Sequence, residues 1–303
     1  MSAIELLKER LQQSACEYYV NEPMKMHTTF KIGGNADLFI VPENENQAVA
    51  AITACRELAV PFTIIGNGSN LLVKDGGIRG AVIAFTAKMG KISLENDVIE
   101  AQSGALLVLV CRFAAENSLS GLEFAYGIPG SVGGTAYMNA GAYGGEIKDA
   151  ALSIRALFPD GKVHEISAED AGFGYRTSAF EKNGAIILSV KYKLKIDDKN
   201  EIEARMNDIM QRRKDKQPLE YPSAGSTFKR PQNGFAAAMI DQCGLKGRSF
   251  GGAQVSEKHA GFVINKGGAS CSDVLNLMQE IKNEVFSKMG VELHPEVKII
   301  GEE

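Results

Sequence analysis

The chain has 303 residues, 45% of them hydrophobic and 23% charged, the profile of a soluble globular protein whose length suggests two domains and allows one or three. Its net charge of −4 excludes an overall basic field for nucleic acid but leaves room for a local cationic pocket that holds an anionic metabolite. Five cysteines without a C-x-x-C pair, an N-terminus with no apolar signal core, and no apolar run near the roughly 18 residues that span a bilayer argue against a disulfide scaffold and a membrane span, so a cytoplasmic location is expected.

In chain order, residues 2–18 predict an amphipathic helix, with Ser2 and Glu5 at capping-box spacing and Ile4, Leu7 and Leu11 at helical period. "ADLFIVPEN" reads as a strand stopped by Pro42, residues 44–59 as a helix, and "VPFTIIGNGSN" as a strand entering a glycine turn, together a βαβ unit. From about residue 80 short strands ("GAVIAF", "DVIEAQSG"), a helix over 106–119 and a glycine-rich stretch over 121–145 indicate an α+β segment. "LSIRALFPDGKVHEIS" is a hairpin turned at Pro-Asp-Gly, and "GAIILSVKYKLK" is a further strand. A charged helix over 200–216, the boundary-like "PLEYPSAGSTFKRPQNG", helices over 235–243 and 272–289, and strands "AGFVINKGG" and "VELHPEVKIIG" complete the chain.

Two glycine loops carry the chemistry. "IIGNGSN" brings Gly66, Asn67, Gly68, Ser69 and Asn70 directly after an apolar strand, where bare backbone N–H groups and small donors suit a phosphate or pyrophosphate. Leu71 stands at the third glycine position of G-x-G-x-x-G, so this is not the nicotinamide fingerprint; the blander reading is a tight turn. The second loop, residues 127–149, offers Gly127, Pro129, Gly130, Ser131, Gly133, Gly134, Thr135, Asn139, Gly141, Ala142 and Tyr143. Interleaved Ile128, Val132, Tyr137 and Met138 argue against disorder and for a segment that wraps a flat ligand. Two such loops suggest a dinucleotide bound by a fold other than the Rossmann type.

"TTFKIGGNADLFIVP", "IIGNGSNLLV", "GIPGSVGGTAYMNAGAYG", "GYRTSAF", "AGSTFKRP" and "HPEV" occur in this order, and from about Met26 onward the chain closely resembles the UDP-N-acetylenolpyruvoylglucosamine reductases (UDP-N-acetylmuramate dehydrogenases). The resemblance implies an α+β protein with a two-lobed FAD-binding domain of the p-cresol methylhydroxylase/vanillyl-alcohol oxidase type and a C-terminal α+β substrate-binding domain. The expected ranges are 1–78 for the first FAD lobe, 79–200 for the second and 201–296 for the substrate domain, with a strand at 297–303 returning to the first lobe. It also implies non-covalent FAD, NADPH as co-substrate, and a role in peptidoglycan precursor synthesis for cell-wall growth, shape and division. A monomer or weak oligomer without nucleic-acid or membrane partners is expected. Because relatives in the wider superfamily tether flavin through histidine, His27 is a position to inspect. Arg176 and Ser226 are 50 positions apart, filled mostly by a strand and a helix, which matches the shorter subtype that lacks an inserted tyrosine loop over the substrate.

The implied chemistry has two halves: NADPH delivers hydride to flavin N5, and N5 delivers it to C3 of the enolpyruvyl group while a proton reaches C2. The resemblance assigns that proton to Ser226, a serine that needs no neighbouring histidine because it acts as an acid rather than a nucleophile; "AGSTF" is also no nucleophile elbow. Arg176 would clamp the substrate carboxylate in its planar fork, and Glu296, opposite the developing enolate, is expected to be protonated or to share a proton. Taken one at a time, an arginine or glutamate is ordinarily a solvated surface residue and a serine in a Gly/Pro loop a turn residue. Lys216, Lys229 and Arg230 are candidates for the diphosphate and Tyr175 for packing on substrate or flavin; His259 and His294 lack metal-ligand spacing, and no metal is expected. The competing readings are a flavin oxidase on the same fold and a non-enzymatic sugar-nucleotide or flavin-binding protein.

Overall fold

The computed structural model describes residues 2–303, which fall into two compact units. Unit 1 comprises residues 2–19, Phe39–Asn67 and Gly80–Arg212; unit 2 comprises Val20–Leu38, Gly68–Arg79 and Arg213–Glu303. Both units are therefore discontinuous along the chain.

Helix α1 (Ala3–Gln13) begins where the Ser2 hydroxyl accepts from the Glu5 amide at 3.2 Å, and it buries Leu7 and Leu11. It ends earlier than its sequence period suggests. Ser14 turns its hydroxyl back onto the Arg10 and Leu11 carbonyls, and Ala15 takes a left-handed φ of +50°. The aromatic and β-branched residues that follow form the strand Glu17–Pro23. Helix α2 (Glu45–Glu57) is capped by Asn44 and buries Ala48, Ala51, Ile52, Ala54 and Cys55. A four-stranded sheet has the order Glu17–Pro23, Asn35–Val41, Ile78–Ala84, Phe62–Ile65, its last pair parallel with Phe62 opposite Ala81 and Ile65 opposite Ala84. The expected strand–helix–strand order is present, and Ile78–Ala84 lies between its two strands in the sheet, a central position that suits the buried run 80–84.

Unit 1 contains a five-stranded antiparallel sheet of order Val163–Ser167, Ala151–Leu157, Ile186–Lys193, Val98–Gln102, Ile92–Glu95. Helices α3 (Leu107–Glu116) and α4 (Val132–Tyr137) contribute Val110, Cys111, Val132 and Ala136 to its core, with Ile99, Ile154, Val190 and Tyr192 from the strands. The glycine-rich stretch is thus ordered: it holds α4 and a short pair in which Gly145 lies opposite Ala142. Helix α5 (Phe180–Asn183) is a single turn, and α6 (Lys199–Lys216) is the charged helix expected there.

In unit 2, α7 (Ala236–Gln242) and α8 (Cys271–Met289) share a core with Phe30, Ile32, Leu72, Phe228 and Val263. An antiparallel sheet of Ser249–Phe250, Ala253–Val255 and Val263–Asn265 lies with them. Ser270 and Asp273 form the capping box of α8, and Gly290 ends it at φ +68°. Asp75 adds a cap from a distant part of the chain, accepting from the Cys271 amide (2.7 Å), the Ser272 amide (3.0 Å) and the Ser272 hydroxyl (2.7 Å). The final strand, Lys298–Ile300, pairs in parallel with Leu71–Val73. No helix among the described residues is long and apolar enough to cross a membrane.

Candidate active site

In unit 1 the second glycine loop is stitched to the segment 103–107. Leu107 N donates to Gly130 O (2.9 Å), Val132 N to Ala105 O (2.8 Å) and Gly133 N to Ser103 O (3.0 Å). Gly133 has to lack a side chain, since a Cβ there would lie 2.7 Å from the Ser103 hydroxyl. From the first loop, Asn67 Nδ2 donates to Pro129 O at 2.5 Å. A Cβ on Gly66 would fall 2.0 Å from Ser131 Oγ. That hydroxyl is buried and has no hydrogen-bond partner among the described residues. Buried polar atoms are almost always paired, so this hydroxyl, packed against Gly66, is an exception. The Thr135 hydroxyl is different: it bonds back to Ser131 O and Val132 O within its own helix.

Farther along, Asn139 is fully buried at φ +42°. Its amide donates to Glu146 Oε2 and to Gly174 O, each at 3.0 Å, and accepts from Lys148 N at 3.0 Å. It is the post around which 139–148 folds. Arg176 Nη2 donates to Gly141 O at 2.9 Å, and its guanidinium lies 5.1 Å from the centre of the Tyr175 ring. The Glu146 carboxyl is held below its ordinary range, first by its hydrogen bond to the Lys148 ammonium, then by Asn139 and the charge of Arg176. Asn139, Tyr143 and Arg176 all have left-handed backbones (φ +42°, +51° and +54°). Such conformations are costly for non-glycine residues and gather at ligand sites. Tyr143 and Tyr175 leave their rings exposed.

Unit 2 carries the remaining candidates. Gly68, at φ +62°, passes so close to His27 that a Cβ would lie 2.1 Å from the His27 carbonyl oxygen. His27 Nε2 is 2.8 Å from Glu22 Oε1. Asn70 Nδ2 donates to the Glu296 carbonyl at 3.3 Å, and Lys298 N donates to Asn70 O at 2.9 Å. Around Ser226 the chain runs antiparallel to 294–296. Glu296 N donates to Thr227 O and Lys229 N to His294 O, both at 2.8 Å, with Phe228 bridged to Pro295. On its other side Thr227 donates its N–H to Gly261 O and accepts at Oγ1 from Val263 N, both at 2.9 Å. Ser226 is exposed beside buried Thr227, and Gly225 before it has φ +75°. The structure therefore brings Ser226 and Glu296 onto adjoining antiparallel segments; Arg176 belongs to unit 1.

Arg230 stacks 4.1 Å over the exposed Phe235 ring and donates from Nε to Gly234 O at 3.3 Å. Lys216 is exposed at the end of α6. Its charge, with that of Lys246, lowers the basicity of His259, though burial of the imidazole is the larger cause. Sequence reading passed over Thr227, Glu146 and Ser103. Each stands next to or near a motif residue, but its role appears only once distant segments pair. No group of three or more metal-ligating side chains occurs among the described residues. All five cysteines are free and buried, and burial pushes Cys55, Cys111 and Cys271 up to about 12, which leaves no thiolate nucleophile among those three.

Comparison with known proteins agrees with these features. Residues 36–167 match the family described as FAD binding domain, and residues 217–300 match UDP-N-acetylenolpyruvoylglucosamine reductase, C-terminal domain. A UDP-N-acetylenolpyruvoylglucosamine reductase of Clostridium botulinum is 55% identical over 284 residues, covering 94% of this chain and 92% of that protein. The crystal structure of UDP-N-acetylenolpyruvylglucosamine reductase from Thermus caldophilus matches with a TM-score of 0.80 at 36% identity, over 94% of this chain and 98% of that one. A glucooligosaccharide oxidase of Acremonium strictum shares the fold (TM-score 0.50, 14% identity), over 93% of this chain and 58% of its own.

Proposed function

The chain belongs to the UDP-N-acetylenolpyruvoylglucosamine reductase family, and on that premise we propose that Arg176, Ser226 and Glu296 carry the polar chemistry of its reaction. The protein is an FAD-containing, NADPH-using oxidoreductase that reduces UDP-N-acetylglucosamine enolpyruvate to UDP-N-acetylmuramate in peptidoglycan precursor synthesis. FAD, when bound, supplies the two-electron redox chemistry between NADPH and the enolpyruvyl group.

The orphaned Ser131 hydroxyl and the bare surface of Gly66 fit a bound cofactor. Gly66, Asn67, Gly68, Ser69 and Asn70 of the first loop and Gly130, Ser131, Gly133 and Gly134 of the second would hold it. Gly127, Pro129, Thr135, Asn139, Gly141, Ala142 and Tyr143 shape the loop that carries these contacts. The guanidinium of Arg176, oriented by Gly141 O, binds the substrate carboxylate and offsets the charge that grows on it. Ser226 donates the proton to C2. Glu296 acts beside it at the same developing charge. Lys216, Lys229 and Arg230 bind the diphosphate, and Tyr175 packs on the substrate. The observation that carries this reading is the pairing of 227–229 with 294–296, which supports a shared role for Ser226 and Glu296. We place the enzyme in the cytoplasm, as a monomer or weak oligomer.

The test separates the two half-reactions. Ser226→Ala is expected to keep NADPH-driven bleaching of the flavin while its reoxidation by the enolpyruvyl substrate slows by about 10²–10⁴-fold, the usual contribution of positioned proton transfer. Full turnover in that variant would remove Ser226 from the mechanism.

A further inference from the structure

We infer that Asn70 is a positioning residue for Glu296, an inference that rests on the catalytic role proposed for Glu296 above. The peptide of Glu296 is gripped at both ends. Its N–H donates to Thr227 O at 2.8 Å, and its carbonyl accepts from Asn70 Nδ2 at 3.3 Å. The next peptide but one is gripped as well, because Lys298 N donates to Asn70 O at 2.9 Å and Lys298 starts the parallel ladder with Leu71. One asparagine thus brackets Glu296 from side chain and main chain. The opposite side of the bracket is stiff, since Thr227 is buried and itself tied to Gly261 and Val263.

The position has a chemical reason to be asparagine. The group it faces is a carbonyl oxygen, so a donor is required, and its own main chain is already committed to Lys298. Aspartate has the same shape but presents only acceptors to that carbonyl. Loss of this one bond lets the Glu296 peptide rotate while leaving Thr227 in place. Misplacement of a reacting group by about 1 Å can cost on the order of 10²-fold in rate. Asn70 also stands at the end of the loop Gly66–Asn70 assigned to the cofactor, so its side chain, unlike those loop amides, serves the substrate half of the reaction.

The experiment uses FAD-loaded enzyme and anaerobic stopped-flow absorbance. Asn70→Asp, whose main chain belongs to the cofactor loop, is expected to slow reoxidation by saturating enolpyruvyl substrate about 10–100-fold more than it slows bleaching by NADPH. The loss should fall on kcat, with KM little changed. Asn70→Ser, which keeps a donor and adds no charge, should recover part of the rate and covers the case in which the aspartate variant fails to fold. In a Glu296→Gln background, Asn70→Asp should cost nothing further, because residues acting through one group are non-additive. Unchanged reoxidation in Asn70→Asp, equal slowing of both half-reactions, or a full additional loss on top of Glu296→Gln would each overturn the inference. If Glu296→Gln alone leaves reoxidation untouched, the assignment of Glu296 itself has failed.

Discussion

Ser131 and Asn139 were singled out by the same glycine-loop pattern, yet their side chains do opposite work. The Ser131 hydroxyl is buried with no partner among the described residues, whereas the Asn139 amide makes three hydrogen bonds, two inside the loop and one to Gly174 O. An unsatisfied buried hydroxyl costs about 1–3 kcal/mol. Ser131→Ala should therefore leave the melting temperature of FAD-stripped protein unchanged or raised, while titration with FAD shows weaker binding. Asn139→Ala should do the reverse to the stripped protein, lowering its stability by about 2–4 kcal/mol as buried partners lose their bonds. Calorimetry of the two apoproteins decides it; a destabilised Ser131→Ala apoprotein with undiminished FAD affinity would contradict the assignment. Gly66→Ala makes a third case. Its methyl would fall on Ser131 Oγ, so overpacking of about 1–3 kcal/mol should accompany loss of bound flavin, read from the ratio of visible to ultraviolet absorbance.

Among the elements, α8 shows how charge placement enters stability. Burial alone would raise the Asp75 carboxyl, but hydrogen bonds from the Cys271 and Ser272 amides and the Ser272 hydroxyl outweigh it, and the net direction is down. A carboxyl with a depressed folded value binds its proton less readily than in the unfolded chain, so it contributes stability above the ordinary aspartate range. That contribution is lost as pH falls through the folded value. Asp75→Ala should cost about 0.5–2 kcal/mol near neutral pH, as loss of a helix cap does, and should flatten the fall in stability below pH ~4. Denaturant titrations at several pH values measure both; an unchanged acid slope would show that Asp75 is not the group responsible. The sequence announced α8 itself clearly, through Ser270, the buried stripe and Gly290, but gave no sign of Asp75, 196 positions from its partner Cys271. The same limit applies to "GAVIAF": its residues mark it as extended, but only pairing puts it beside Phe62–Ile65. The end of α1 was misread for a local reason, since Ile4, Leu7 and Leu11 give the helical period but not the left-handed turn at Ala15 that ends the run.

For the molecule as a whole, the family was legible because six ordered motifs span nearly the entire chain, and comparison bears that out. What the motifs could not supply is how their residues are held: Thr227 between Glu296 and the segment 261–263, Asn70 against Glu296, Arg176 against Gly141 in a left-handed backbone. Those facts depend on contacts across tens to hundreds of positions and carry no local signature. This chain passes electrons from NADPH to an enolpyruvyl sugar nucleotide through bound FAD, and an anaerobic visible spectrum tests that most directly. The purified protein should show oxidised flavin, bleach on addition of NADPH, and regain its colour when UDP-N-acetylglucosamine enolpyruvate is added without oxygen. A protein that binds no FAD on reconstitution, or a reduced flavin that recovers only with oxygen and never with the enolpyruvyl substrate, would contradict it.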